Sequence, residues 1–81
     1  VVLLKHAPNV TGCSLAIQSV FQAIDFPGSL FQSLVIDLDL VERVIEHPSV
    51  QGVCLTGSVA AGRAVGALAG KNLKKVVLEL G

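Results

Sequence analysis

The chain has 81 residues with six basic and six acidic side chains, so it holds one domain at most and has no net charge to draw in nucleic acid or an anionic membrane. Hydrophobic residues make up 52% against 15% charged, and mean hydropathy is +0.73, more apolar than the surface of a lone small domain tolerates. With three phenylalanines as the whole aromatic content and no basic run, a nucleic-acid platform is excluded, and polar breaks at Gln18, Asp25, Asp37, Asp39, Arg43 and Arg63 exclude a membrane-spanning helix.

The excess of apolar residues implies that part of this surface meets other protein. The chain opens on Val-Val-Leu-Leu and closes on Glu-Leu-Gly, and the expectation is a piece of a larger protein, with an obligate oligomer of small subunits as the alternative. The opening run is too short for a signal peptide. Cys13 and Cys54 form no CxxC or zinc pattern. They read as small buried hydrophobes in a reducing, cytoplasmic compartment. Cys13 stands near a helix start, the setting in which a thiol becomes reactive.

Val1 to Lys5 (VVLLK) reads as a buried strand and HAPNVTG as a loop. A helix follows from Thr11 to Ile24, with Leu15, Ile17, Val20, Phe21 and Ile24 as its apolar stripe. Phe26-Pro27-Gly28 ends it. Leu30 to Ile36 is the second strand. Asp37 or Asp39 caps a short helix through Glu46, whose inner face is Leu40, Val41, Val44 and Ile45. His47-Pro48 closes that helix, with the imidazole at its negative end. Gly52 to Thr56 is the third strand, Ser58 to Ala69 the third helix ended by Gly70, and Lys74 to Leu80 the fourth strand.

This β-α-β-α-β-α-β order predicts an α/β fold, a Rossmann-like parallel sheet that forms part of a larger three-layer domain. Ligands of such sheets bind beyond the carboxyl ends of the strands. That rule places Lys5 to Pro8, Ile36 to Asp39, Thr56 to Ser58 and Glu79 to Gly81 on one rim.

Two readings stand at Thr56-Gly57-Ser58. The free amides and positive dipole of the following helix suit a phosphate, with Gly57 admitting close approach and Ser58 adding a donor. Alternatively, Ser58 or Thr56 merely caps the helix. The GxxxxG spacing from Gly57 to Gly62 lacks the Lys-Ser/Thr of a P-loop, because Arg63 and Ala64 follow, and the GxGxxG fingerprint is absent. Nucleotide triphosphate hydrolysis is rejected on that ground. Gly62, Gly66 and Gly70 line one helix face, which suggests close packing. Lys5 is either a donor to sugar or phosphate or a snorkelling residue at a strand tip. Glu79 is either a partly buried general base or an edge carboxylate paired with Lys74 or Lys75. His6 and His47 lack metal-ligand spacing, and no metal is expected.

Together, LLKHAPNV, the helix ending in FPGSLFQSL, LTGSVAAGRAVG and LKKVVLELG resemble the NAD(P)-dependent aldehyde dehydrogenase superfamily. The KHA and LFQSLVI forms resemble its succinate-semialdehyde dehydrogenase branch. The resemblance covers essentially the whole chain, and it implies that residues 1–81 are a partial NAD(P)-binding domain. By that resemblance Lys5 contacts the adenosine ribose, and His6, Ala7 and Pro8 share its cofactor loop. Pro8 replaces a glutamate common in NAD-preferring members, which favours NADP over NAD. Gly57 and Ser58 hold the pyrophosphate, Leu80 faces the nicotinamide with its backbone, and Glu79 is the general base.

In the family a cysteine thiolate attacks the aldehyde, hydride passes to the nicotinamide, and water releases the acid from the thioester. The nucleophile's position in the family falls beyond Gly81, so neither Cys13 nor Cys54 inherits that role. The parent protein is therefore expected to oxidise an aldehyde that this chain alone does not. The partners implied are a nicotinamide dinucleotide and a small aldehyde, with no nucleic acid or membrane. Homo-oligomerisation or association through exposed apolar surface is also expected. The contrasting expectation is an α/β interaction module that binds no nucleotide.

Overall fold

The computed structural model describes residues 1–24 and 29–81. The chain forms two compact units, Val1–Ile36 and Asp37–Gly81. The expected helix terminator Phe26-Pro27-Gly28 lies outside the described residues.

In the first unit, β1 (Val2–Leu4) leads through a 3-10 turn at Pro8–Val10 into α1 (Thr11–Ala23), and β2 (Phe31–Ser33) follows. β1 and β2 pair in parallel, Val2 opposite Phe31 and Leu4 opposite Ser33. A parallel pair needs a long crossover, which α1 supplies. Phe31 is the buried apolar residue of this unit among the described residues, and its ring stacks on Phe21 with centroids 5.1 Å apart. Polar contacts also join α1 to β2. The buried Ser14 and Ser33 hydroxyls bond each other, and Ser33 Oγ donates to the Ser14 carbonyl at 3.0 Å. Gln18 Oε1 accepts from the Ser33 amide at 2.7 Å and from Gln32 Nε2 at 3.0 Å.

The face of α1 that meets β2 is therefore Ser14, Gln18 and Phe21, four and three residues apart. The predicted stripe is corrected by this. Leu15, Ile17, Val20 and Ile24 are exposed, Val20 at 62%. Val2 and Leu3 are exposed too, so β1 is not the buried strand its composition suggests. A ladder covered by one long helix keeps its other face open.

In the second unit a 3-10 turn at Leu38–Leu40 runs into the six-residue α2 (Val41–Glu46). Asp37 precedes the turn in extended conformation, but its side chain makes no capping bond, and none caps α2. β3 (Gly52–Gly57), α3 (Val59–Lys71) and β4 (Lys75–Leu80) complete the unit. β3 and β4 pair in parallel over six positions, from Gly52 opposite Lys75 to Gly57 opposite Leu80. α3 packs on both strands and α2 packs on α3. Ile45 and Ala69 are the buried apolar residues, Ala69 fully.

Two devices close the turns of this unit. α3 continues through Gly70, the expected stop, to Lys71. It ends because Leu73 takes a left-handed conformation at φ 55°. The Leu73 amide donates to the Gly70 carbonyl at 3.1 Å and the Lys74 amide to the Ala69 carbonyl at 2.8 Å. This is the paired closure usually built around glycine, and a leucine there costs roughly 1 kcal/mol. At the end of α2, Lys74 Nζ donates to the carbonyls of His47, at 2.9 Å, and Val50. His47 Nδ1 accepts from the Ser49 amide at 3.1 Å, so the ring nitrogen closes the turn that follows α2.

The α/β class and element order are as the sequence predicts. The strands form two two-stranded parallel ladders, where the pattern predicts one continuous sheet. Cys13 and Cys54 are free and exposed, not buried. No helix is long and apolar enough to cross a membrane, and no metal-binding cluster of side chains occurs among the described residues.

Candidate functional site

The second unit brings four of the predicted site residues to one end of its ladder. β3 finishes at Gly57 and the chain turns at Ser58, extended at φ −71° and ψ 159°, into the first turn of α3. Ser58 Oγ accepts from the Ala61 amide at 3.1 Å, and the Ser58 carbonyl accepts the first helical bond, from Gly62, at 2.9 Å. The capping reading is thus realised. It does not use up the serine: the hydroxyl oxygen accepts, and the hydroxyl hydrogen remains available to donate. The amides of Val59 and Ala60 lie in the first turn with no carbonyl behind them to accept. Ser58 is exposed, so these donors are reachable.

Gly57 needs no glycine for its own fold. A β-carbon there would make only ordinary contacts, 3.8 Å to Leu55 Cδ1 and 3.9 Å to Ala61 Cβ. The register then sets the neighbours. Thr56 stands opposite Glu79 and Gly57 opposite Leu80. Glu79 is exposed, not partly buried, because β4 has β3 on one side only and all six of its residues are exposed. The expected pairing with Lys74 is not formed: that ammonium serves the His47 and Val50 carbonyls. Lys75 begins the strand that Leu80 ends.

Lys5, His6, Ala7 and Pro8 form a second group, in the first unit, at the carboxyl end of β1. Lys5 is half-buried and its Nζ donates to the His6 carbonyl at 3.0 Å. His6 Nδ1 donates to the Ala7 carbonyl at 2.8 Å, and the ring's other nitrogen is Nε2. That Nε2 is buried and has no partner among the described residues. Pro8 opens the 3-10 turn, and Thr11 Oγ1 donates to its carbonyl at 3.3 Å. Pairing therefore groups Gly57, Ser58, Glu79 and Leu80 in one unit and Lys5 to Pro8 in the other.

Sequence reasoning missed one contributor: Leu80 rests on Gly62, where a β-carbon would stand 2.6 Å from a Leu80 methyl. The glycine spacing hinted at it. Nothing in residue type announced the Lys74 clamp or the left-handed Leu73, which shape the other end of the ladder.

The sequence profile of the aldehyde dehydrogenase family matches residues 1–81. The chain belongs to the aldehyde dehydrogenase family. It is 48% identical over 79 residues to the NADP(+) succinate-semialdehyde dehydrogenase of Mycobacterium leprae (strain TN), covering 98% of this chain and 17% of that protein. It is 49% identical over 79 residues to the NAD(P)+ succinate semialdehyde dehydrogenase Sad of Escherichia coli (strain K12), with the same coverage of 98% and 17%. Its fold superposes on the crystal structure of succinic semialdehyde dehydrogenase from Streptococcus pyogenes in complex with NADP+ with a TM-score of 0.93 and 38% identity, covering 98% of this chain and 17% of that one. The chain thus spans about one sixth of the length of these aldehyde dehydrogenases, 17% in each case.

Proposed function

We propose that residues 1–81 are the dinucleotide-binding segment of an aldehyde dehydrogenase that oxidises succinate semialdehyde to its carboxylic acid, with NADP as the preferred cofactor and NAD as the alternative. The observation that carries this reading is the end of the β3–β4 ladder. A capped helix start with free amides stands beside a strand end that bears a carboxylate with no ion pair among the described residues. The names of the relatives support the substrate and the cofactor.

The residues suit a pyrophosphate. The Val59 and Ala60 amides and the Ser58 hydroxyl are donors at the start of α3, and the helix dipole favours an anion there. Gly57 is glycine although neither its conformation nor its packing demands it, which supports close approach of a ligand to its backbone. Lys5 would donate to the adenosine ribose, with His6, Ala7 and Pro8 in the same loop. Pro8 brings no carboxylate to repel a 2′-phosphate. The bound dinucleotide supplies the hydride acceptor. Leu80 would present its backbone toward the nicotinamide end, and Glu79, exposed and free of an ion pair among the described residues, would take the proton of the attacking water.

The test is steady-state kinetics with succinate semialdehyde and calorimetric titration of NADP+ on the full-length enzyme carrying this segment. Glu79→Gln should lower kcat by about 10²- to 10⁴-fold, the size of a lost general base, with little change in affinity for NADP+. Ser58→Ala should weaken NADP+ about tenfold or more, the loss of one charge-assisted hydrogen bond. Unchanged turnover in the Glu79 variant removes the base assignment, and no NADP+ binding by the unmodified enzyme removes the cofactor. Association without nucleotide binding would instead favour an interaction module, for which the exposed Val20, Ile24 and Val77 provide apolar surface.

A further inference from the structure

Gly62 lies one turn into α3 and is buried. A β-carbon built on it would stand 2.6 and 2.8 Å from the two methyl carbons of Leu80 and 3.3 Å from its Cγ. Real side chains do not come so close, so the leucine occupies space that only glycine leaves. The glycines further along the same face are graded. Gly66 would meet one Leu78 methyl at an ordinary 3.5 Å, and Gly70 would meet nothing within 4 Å. The tight contact is confined to the end of α3 that begins at Ser58.

Leu80 ties that contact to the site. Its side chain rests on Gly62 while its backbone pairs with Gly57, and Glu79 precedes it opposite Thr56. The atoms in conflict are side-chain tips of a residue 42% exposed. An added methyl would make Leu80 turn away without crushing any backbone. Alanine also favours the helix over glycine. Stability is thus roughly conserved while the strand end loses its seat.

We propose that Gly62 is a positioning residue: the space left by its absent side chain seats Leu80, and so fixes the Glu79 carboxylate and the Leu80 backbone relative to the amides that follow Ser58. This rests on the function proposed above and names the residue that aligns its catalytic end.

The test is a double-mutant cycle on the full-length enzyme, read by kcat, KM, NADP+ titration, melting temperature and amide exchange of the peptide ending at Leu80. Gly62→Ala should lower kcat about ten- to a hundredfold, as a misplacement near 1 Å does, and leave KM for the aldehyde within about threefold. The melting temperature should hold or rise, and the amides of Glu79 and Leu80 should exchange faster. Leu80→Val removes the conflicting methyl carbons, so Gly62→Ala/Leu80→Val should regain most of the lost kcat and slow exchange. Gly70→Ala makes the same helix change in open space and should leave kcat unaltered. A Gly62→Ala enzyme with unchanged kcat and unchanged exchange overturns the inference, as does a double variant no better than the single one. Failure of the functional reading is a separate result: the unmodified enzyme would not oxidise the aldehyde.

Discussion

α1 and α3 are both 13 residues long and each crosses between two parallel strands, yet they dock by different chemistry. α1 meets β2 through Ser14 and Gln18, whose oxygens bond the Ser33 hydroxyl, the Ser33 amide and the Gln32 amide. α3 meets its ladder through glycine and alanine, with Gly62 under Leu80 and Ala69 fully buried. Directional bonds hold one point of a strand and tolerate open space around it. Close packing holds a whole strand end, because any added carbon is felt at once. The second arrangement is the one found beside Ser58 and Glu79, where a proposed reaction needs alignment.

Substitutions in the first unit can break this comparison. The largest effect is expected at Phe31, the one buried apolar residue among those described there. Phe31→Ala should cost about 3–5 kcal/mol in denaturant unfolding, through lost burial and the lost stack on Phe21. A cost under about 1 kcal/mol would mean that the polar contacts alone hold α1.

Next is the polar contact itself. Ser33→Ala should cost about 1–3 kcal/mol, because the buried Ser14 hydroxyl and carbonyl lose their partner. Adding Ser14→Ala should cost less than the sum, since the orphaned hydroxyl is removed with it. Strict additivity in that cycle would deny the pair its coupling.

The smallest effect sharpens the α3 side. Leu73 is 94% exposed and left-handed, so Leu73→Gly should stabilise by about 1 kcal/mol through relief of strain. Chemical unfolding that shows a loss instead would assign the leucine a contact that outweighs its conformation.

Element order was legible from hydropathy, since short apolar runs and Gly/Pro breaks mark strands and turns wherever they fall. Four strands and three helices stand within a few residues of where those signals put them. The docking face of α1 was not legible. Periodicity ranks residues by apolarity, and it chose Leu15, Ile17 and Val20 over the serine and glutamine that hydrogen bonding selects. At the candidate site the capping serine and the strand-end glutamate were readable from position. What was not readable is the register. That Gly57 falls opposite Leu80, and not Glu79, is decided by the length of the crossover and the seat on Gly62, which no single residue advertises.

The short link between α3 and β4 has a corollary for chain length. Only Asn72, Leu73 and Lys74 separate the two elements, and all three are committed: Asn72 caps, Leu73 reverses the chain and Lys74 clamps a distant turn. The link therefore works as a ruler. One residue more or less would slide β4 by a single step, exchange its two faces, and send the carboxylate to where a leucine now lies. A substitution that keeps this link at three residues leaves the register in place, whereas an insertion or deletion moves it.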